Sequence, residues 1–175
     1  MNRRLRQIVL GALFMALGLV VPMLFHGLGI GAIFLPMFWP LALAGYWLSP
    51  PVALAAGLFT PALSSLITGM PPAPVVWRMM AELAVLPTLT SLLHQKTRWP
   101  AVAVTALSLL ASLAAGLALA AALAPILGWP PRLYALASLG RSLPGTLGMI
   151  LLIPPLYQRL ARGTLSRRPP HDARP

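Results

Sequence analysis

Hydrophobic positions in this chain come in long blocks, not in the alternation of a strand or the single stripe of a surface helix. One uninterrupted apolar run extends from Ile8 to Phe25, just behind Arg3, Arg4 and Arg6. A secretory signal has the same basic start. This run, however, is long, lacks a small-x-small cleavage site and leads straight into more apolar sequence, so it reads as a retained first helix. Proline punctuates the rest of the chain: Pro50-Pro51, Pro71-Pro72 and Pro130-Pro131 fall between apolar runs, and Pro100 opens another. Because proline stops one helix or starts the next, the pattern predicts spans at about 8–25, 33–49, 52–68, 76–94, 101–125 and 134–157. The link from 49 to 52 is so short that the second and third spans form an antiparallel hairpin.

Composition turns these blocks into membrane spans. The 175 residues are 58% hydrophobic and only 9% charged, with a mean hydropathy of +0.82. A soluble domain carries about 25% charged residues, so lipid must be the solvent for most of this surface. Six spans of about 20 residues, each matched to a hydrocarbon core of ~30 Å, use most of the chain. The expected architecture is an all-α integral membrane bundle of six transmembrane helices. It forms one domain over 1–161, followed by a basic, proline-rich, disordered tail over 162–175.

Charge gives the bundle a direction. An even number of spans puts both termini on one side, and that side carries ten basic residues: Arg3, Arg4, Arg6, Lys96, Arg98, Arg159, Arg162, Arg167, Arg168 and Arg174. The opposite side has only Arg78 and Arg132 near its loops, with Arg141 inside a span. The positive-inside rule then makes both termini cytoplasmic. The same rule accounts for the net charge of +11, which in a soluble protein would suggest nucleic acid. The chain contains no cysteine, which excludes disulfides, iron–sulfur clusters and thiol chemistry.

Little in the sequence supports catalysis. There are two acids, one of them Asp172 in the tail, and His26, His94 and His171 lie in separate segments without zinc-ligand spacing. No phosphate-binding glycine loop and no nucleophile–base–acid set is present. No cofactor or metal is expected. The informative residues are the few charges within the spans. Glu82 on the fourth span and Arg141 on the sixth each lie about 10 Å from the outer end at ~1.5 Å per residue. Arg78 stands one turn before Glu82 on the same helical face. Ionisable groups at such depth face a partner or a watery cavity. Two readings stay open: a structural Glu82–Arg141 bridge, or an outward-facing cavity where Arg78, Arg132 and Arg141 attract an anionic ligand. Trp77, Trp129 and Tyr134 gather at the same level, as an interfacial belt or as stacking surfaces for that ligand. The His26–Gly31 segment, rich in glycine, reads as a turn or a movable outer loop.

Small residues mark where helices meet. Ser108, Ser112, Gly116 and Ala120 form a ribbon at i+4 spacing on the fifth span, suited to close packing within the bundle. Ala12 and Ala16, also four apart, mark the first span for a neighbouring helix or a partner subunit.

Across Ala12 to Pro72 the chain resembles the substrate-binding S components of energy-coupling factor (ECF) transporters, which take up vitamins and other micronutrients. The resemblance rests on Ala12-x-x-x-Ala16, the Phe34-Leu35-Pro36-Met37-Phe38-Trp39-Pro40 stretch and Ala44-Gly45. It continues through Thr60-Pro61-Ala62-Leu63-Ser64-Ser65 to Thr68-Gly69-Met70-Pro71-Pro72. It implies that the first three helices face a membrane-embedded T component, with Ala12 and Ala16 in the contact. It further implies a vitamin pocket formed by helices four to six and the outer loops, and two cytoplasmic ATPase A components that drive the cycle. The location implied is a prokaryotic plasma membrane. The pocket of such proteins varies with the vitamin. Here the cationic excess favours a carboxylate-bearing ligand, such as a nicotinate-, pantothenate- or lipoate-like molecule. The competing readings are a stand-alone carrier or channel, and a membrane scaffold without a solute. A carrier would favour inverted repeats, and no convincing internal repeat is present.

Overall fold

The structure is a computed structural model that describes residues 2–27, 34–127 and 131–165, with side chains described outside 26–27, 73–74, 126–127, 131–142 and 163–165. Of the expected loop at 26–31, His26 and Gly27 belong to the first helix and the rest lies outside the described residues. Of the tail expected from 162, residues 162–165 continue the last helix and the rest lies outside the described residues. Helices follow one another as α1 (Arg3–Gly27), α2 (Phe38–Ala44), α3 (Pro50–Thr68), α4 (Ala73–Lys96), α5 (Ala101–Leu127) and α6 (Pro131–Leu165). No strand occurs among the described residues. Proline sits at the start of α3 and α4, where its missing N–H costs nothing. Gly69, with φ of 70°, ends α3 in the left-handed conformation. Ser64 Oγ then donates to the Met70 carbonyl at 2.8 Å and Ser65 Oγ to the Pro71 carbonyl at 2.9 Å, fastening the turn into α4.

Among the described residues, four helices are long and apolar enough to cross a membrane: Arg3–Phe25, Pro50–Thr68, Val75–Lys96 and Ala101–Pro125. These coincide with four of the expected spans. The sixth expected span lies within α6, a helix of 35 residues that begins earlier and ends later than 134–157. The second departs from expectation. Its helix covers seven residues, Phe38–Ala44, about 10 Å of rise, where a continuous helix over 33–49 was expected. Leu35 has φ of 49° before it. After it, Tyr46 and Trp47 make tight turn hydrogen bonds to Leu43 and Ala44, at 3.1 and 3.0 Å.

This short segment is the middle of the core. α2 packs on α1, α3, α4 and α6, while α4 also packs on α3 and α5, and α6 on α5. Met37, Phe38, Leu41, Ala42, Tyr46 and Leu48 are all buried, against Phe14 of α1, Ala53 and Ala56 of α3, Leu83 and Leu86 of α4, and Met149 and Ile153 of α6. The outward faces are apolar as well. Leu66 is 83% exposed and Leu151 70%, and they belong to an apolar exterior that water would not tolerate over such an area.

Irregular backbone inside a membrane bundle must find its hydrogen bonds within the protein, and residues 46–49 do. Gln7 of α1 spans the turn, donating from Nε2 to the Trp47 carbonyl at 3.0 Å and accepting from the Ser49 N–H at 2.6 Å. Ser91 Oγ donates to the Leu48 carbonyl at 2.6 Å, and Gln95 Nε2 donates to Ser91 Oγ at 2.9 Å. The Tyr46 hydroxyl donates to the Ala101 carbonyl at 2.8 Å and lies 2.7 Å from Thr105 Oγ1. Gln7→Leu strips partners from two backbone groups at once. It is expected to destabilise the protein by about 2–4 kcal/mol, at ~1–2 kcal/mol for each orphaned group. Thermal unfolding in detergent checks this, and a melting temperature equal to wild type would show that water replaces the glutamine.

Candidate binding site

α4 carries the described charge inside the bundle. Arg78 and Glu82 are one turn apart, so their side chains leave the same face. Arg78 Nε donates to Glu82 Oε1 at 2.7 Å, with the two residues 9% and 6% exposed. Glu82 lies about 13 Å along the helix from its first residue, at ~1.5 Å per residue. The carboxylate's described partner therefore comes from its own helix. Of the two cations near it in the sequence pattern, Arg78 is beside it; the Arg141 side chain lies outside the described residues.

The wall opposite Glu82 is the small-residue ribbon of α5. Ser112 Oγ donates to the Glu82 carbonyl at 2.7 Å. A Cβ on Gly116 would overlap the Glu82 carboxylate, lying 2.6 Å from its carboxyl carbon. Ser108, one turn before Ser112, is fully buried, and its Oγ has no hydrogen-bond partner. The ribbon thus packs within the bundle, as expected. It also does something the spacing alone did not reveal: the missing side chain at 116 is the space in which a carboxylate lies buried.

The remaining sequence-derived candidates separate into three groups. Trp77 is 52% exposed and about 140° around α4 from Glu82 at ~100° per residue, so it faces away from the buried pair. Arg132, Tyr134 and Arg141 lie on the first turns of α6, with their side chains outside the described residues, as is Trp129 altogether. Ala12 and Ala16 are exposed on the outer face of α1, while Gly11 and Gly18 of the same helix turn inward to Val52 and Thr60 of α3. Among the described residues no group of three His, Cys, Asp or Glu side chains comes together to hold a metal ion.

A second polar cluster, at the far end of α4, had no sequence signal. Tyr46 stacks on Tyr157 at 4.2 Å between ring centroids, and Trp47 meets Tyr157 edge-on at 5.3 Å. His94 Nε2 lies 3.0 Å from the Tyr157 hydroxyl. The three segments are distant in sequence, so no local spacing could have announced them.

An all-α bundle with apolar outward faces and an ion pair enclosed between helices has the character of an integral, multi-pass membrane protein. The chain belongs to the family described as ECF transporter, substrate-specific component, whose model matches residues 6–166. No curated protein and no solved structure gave a significant match. It is therefore a transport subunit of the prokaryotic plasma membrane, of the kind that works with a T component and ATPase A components.

Proposed function

We propose that this chain captures a small, carboxylate-bearing vitamin or cofactor precursor at the end of the bundle where α4 begins, and presents it to a T component driven by two cytoplasmic ATPases. The observation that carries the reading is the Arg78–Glu82 pair, enclosed between α4 and the small-residue ribbon of α5. Burying an ion pair in a bundle is costly, and ionisable residues kept within membrane spans mark binding sites and pathways. Arg132 and Arg141 on α6 supply further positive charge toward the same end of the sequence pattern, and one carboxylate does not balance three cations. Trp129 and Tyr134 form the rim, while Trp77, which faces away from the pair, belongs to the outer surface of α4.

In this reading the bundle crosses the membrane six times, with α2 and its flanking turns making the second crossing. Both termini are cytoplasmic, a topology supported by the ten basic residues at that end. Ala12 and Ala16 form the low ridge on α1 against which the T component packs; their exposure supports that role.

Native mass spectrometry of the chain purified from its own cells tests the proposal. A co-purified small acid is expected, with its mass naming the substrate. Arg78→Gln and Arg141→Ala are each expected to weaken its retention about 10- to 100-fold, the loss of one charge-assisted hydrogen bond of ~1.5–3 kcal/mol. Undiminished retention in both variants would rule out an anionic site. An empty wild-type protein that also captures no ATPase in a gentle pull-down would rule out the transport assignment of this pocket.

A further inference from the structure

The basic end of the bundle is more organised than a topology rule requires. Arg3, Arg4 and Arg6 of α1, Lys96 and Arg98 after α4, and Arg159 and Arg162 of α6 are all exposed. Among the described residues the only carboxylate is Glu82, which is buried against Arg78 and lies about 21 Å along α4 from Lys96, at ~1.5 Å per residue. These seven cations thus have no described counter-charge in the protein.

They are also mounted on one frame. Gln7 ties the arginine-bearing first turn of α1 to Trp47 and Ser49, through bonds of 3.0 and 2.6 Å. Trp47 meets Phe14 at 6.2 Å on one side and Tyr157 at 5.3 Å on the other. Arg159 and Arg162 follow Tyr157 within about a turn and a half of α6. His94 reaches the Tyr157 hydroxyl at 3.0 Å, and Lys96 and Arg98 come soon after His94. The aromatic cluster therefore fixes three basic segments around a single rim.

Next to this rim the surface becomes apolar. Leu5, Ile8 and Val9 of α1, Val102 of α5 and Leu156 and Leu160 of α6 are each at least 42% exposed. Trp99, 52% exposed between α4 and α5, sits where interfacial tryptophans lie.

We infer that this rim is a binding site for the headgroups of anionic phospholipids. Phosphate oxygens pair with the arginine and lysine side chains, while the acyl chains lie on the adjoining leucine, isoleucine and valine faces. Charge complementarity calls for an anion. The apolar walls beside the cations select a lipid over a free anion or an acidic protein, neither of which would use them. Juxtamembrane clusters of four to eight basic residues attract anionic headgroups, each contributing about fivefold in affinity at low salt. The inference does not depend on which vitamin is carried or on which side the basic end faces.

The test uses the full-length chain in neutral detergent, titrated with phosphatidylglycerol or phosphatidylcholine of equal chain length and read by native mass spectrometry. Phosphatidylglycerol is expected to bind at least about tenfold more tightly, with the preference shrinking in high salt. R159Q/R162Q should lose part of the preference, and R3Q/R4Q/R6Q/R159Q/R162Q nearly all of it. All five positions are exposed, so melting temperatures should stay near wild type. If the fivefold variant cannot be purified, the double variant and the salt dependence of the wild type carry the test. Equal binding of the two lipids, or an unchanged preference in R159Q/R162Q together with no salt dependence, would overturn the inference. So would displacement of phosphatidylglycerol by inorganic phosphate at matched concentration, which would mark a simple anion site. Tighter binding of a polyglutamate peptide than of the lipid would mark a protein-docking surface instead.

Discussion

Gly57→Ala is expected to lower the melting temperature of the purified protein more than any other glycine-to-alanine change in the bundle. A Cβ at position 57 would run into the Leu83 carbonyl oxygen, 2.6 Å from the Leu83 carbonyl carbon and 3.0 Å from Ala84 Cα. All three atoms are backbone of α4, so no rotamer change can yield the space; α3 or α4 has to move. Overpacking of this kind costs about 1–3 kcal/mol, and a contact with rigid backbone belongs at the upper end. Gly18→Ala is the milder comparison, because its Cβ would meet a side-chain methyl of Thr60 at 2.8 Å. Gly148→Ala is milder again, with the Trp39 ring at 3.1 Å. Thermal unfolding of the three variants side by side gives the order. If Gly57→Ala melts at or above Gly148→Ala, α3 and α4 do not approach as closely as described. The consequence reaches the binding site, since Leu83 follows Glu82: the contact at Gly57 sets the depth at which α4 holds its carboxylate.

Removing Glu82 alone should cost stability, whereas removing it together with Arg78 should restore stability and weaken binding. Glu82→Leu leaves the guanidinium of a buried Arg78 without its carboxylate, and breaking a buried pair from one side costs about 3–5 kcal/mol. In Arg78→Met/Glu82→Leu both charges go. Replacing a buried pair by apolar residues of similar size is about neutral, or stabilising by ~1–4 kcal/mol. The double variant should therefore recover most or all of the melting temperature lost by Glu82→Leu, yet retain its small-molecule ligand at least about tenfold less well than wild type, the loss of at least one charge-assisted contact. A double variant that is both stable and fully able to retain ligand would reduce the pair to a structural strut.

How much of this was readable in advance depended on distance along the chain. Four crossing helices were readable because an apolar run bounded by Pro50-Pro51, Pro71-Pro72 or Pro100 carries its own length and its own stops. That Arg78 and Glu82 share a helical face was readable too, because neighbours at i and i+4 need no tertiary information, but the bridge read from the sequence joined Glu82 to Arg141 and not to Arg78. The α5 ribbon could be read as a packing face, but not as the wall of a carboxylate site, since the meeting of Gly116 with Glu82 is a matter of helix register. The second segment was misjudged for a related reason. Its hydropathy suits a span, but Pro36, Pro40 and Gly45 shorten its helix, and Gln7, Ser91 and Gln95 make the break tolerable from 40 or so residues away in either direction. The cluster of Tyr46, His94 and Tyr157 was invisible on the same grounds.

That broken segment also sets an order of assembly. A continuous apolar helix satisfies its own backbone and can rest in the bilayer as soon as it leaves the ribosome. Residues 46–49 cannot, because the Leu48 carbonyl is capped by Ser91 and the Tyr46 hydroxyl by Ala101 and Thr105, all synthesised later. Until α4 and the start of α5 have entered, the centre of the future core has polar groups without hydrogen-bond partners in a solvent that cannot supply them. The part of the molecule that ends up most deeply enclosed is thus the part that must wait longest, held at the membrane surface or loosely inserted beside α1 until the rest of the chain closes around it.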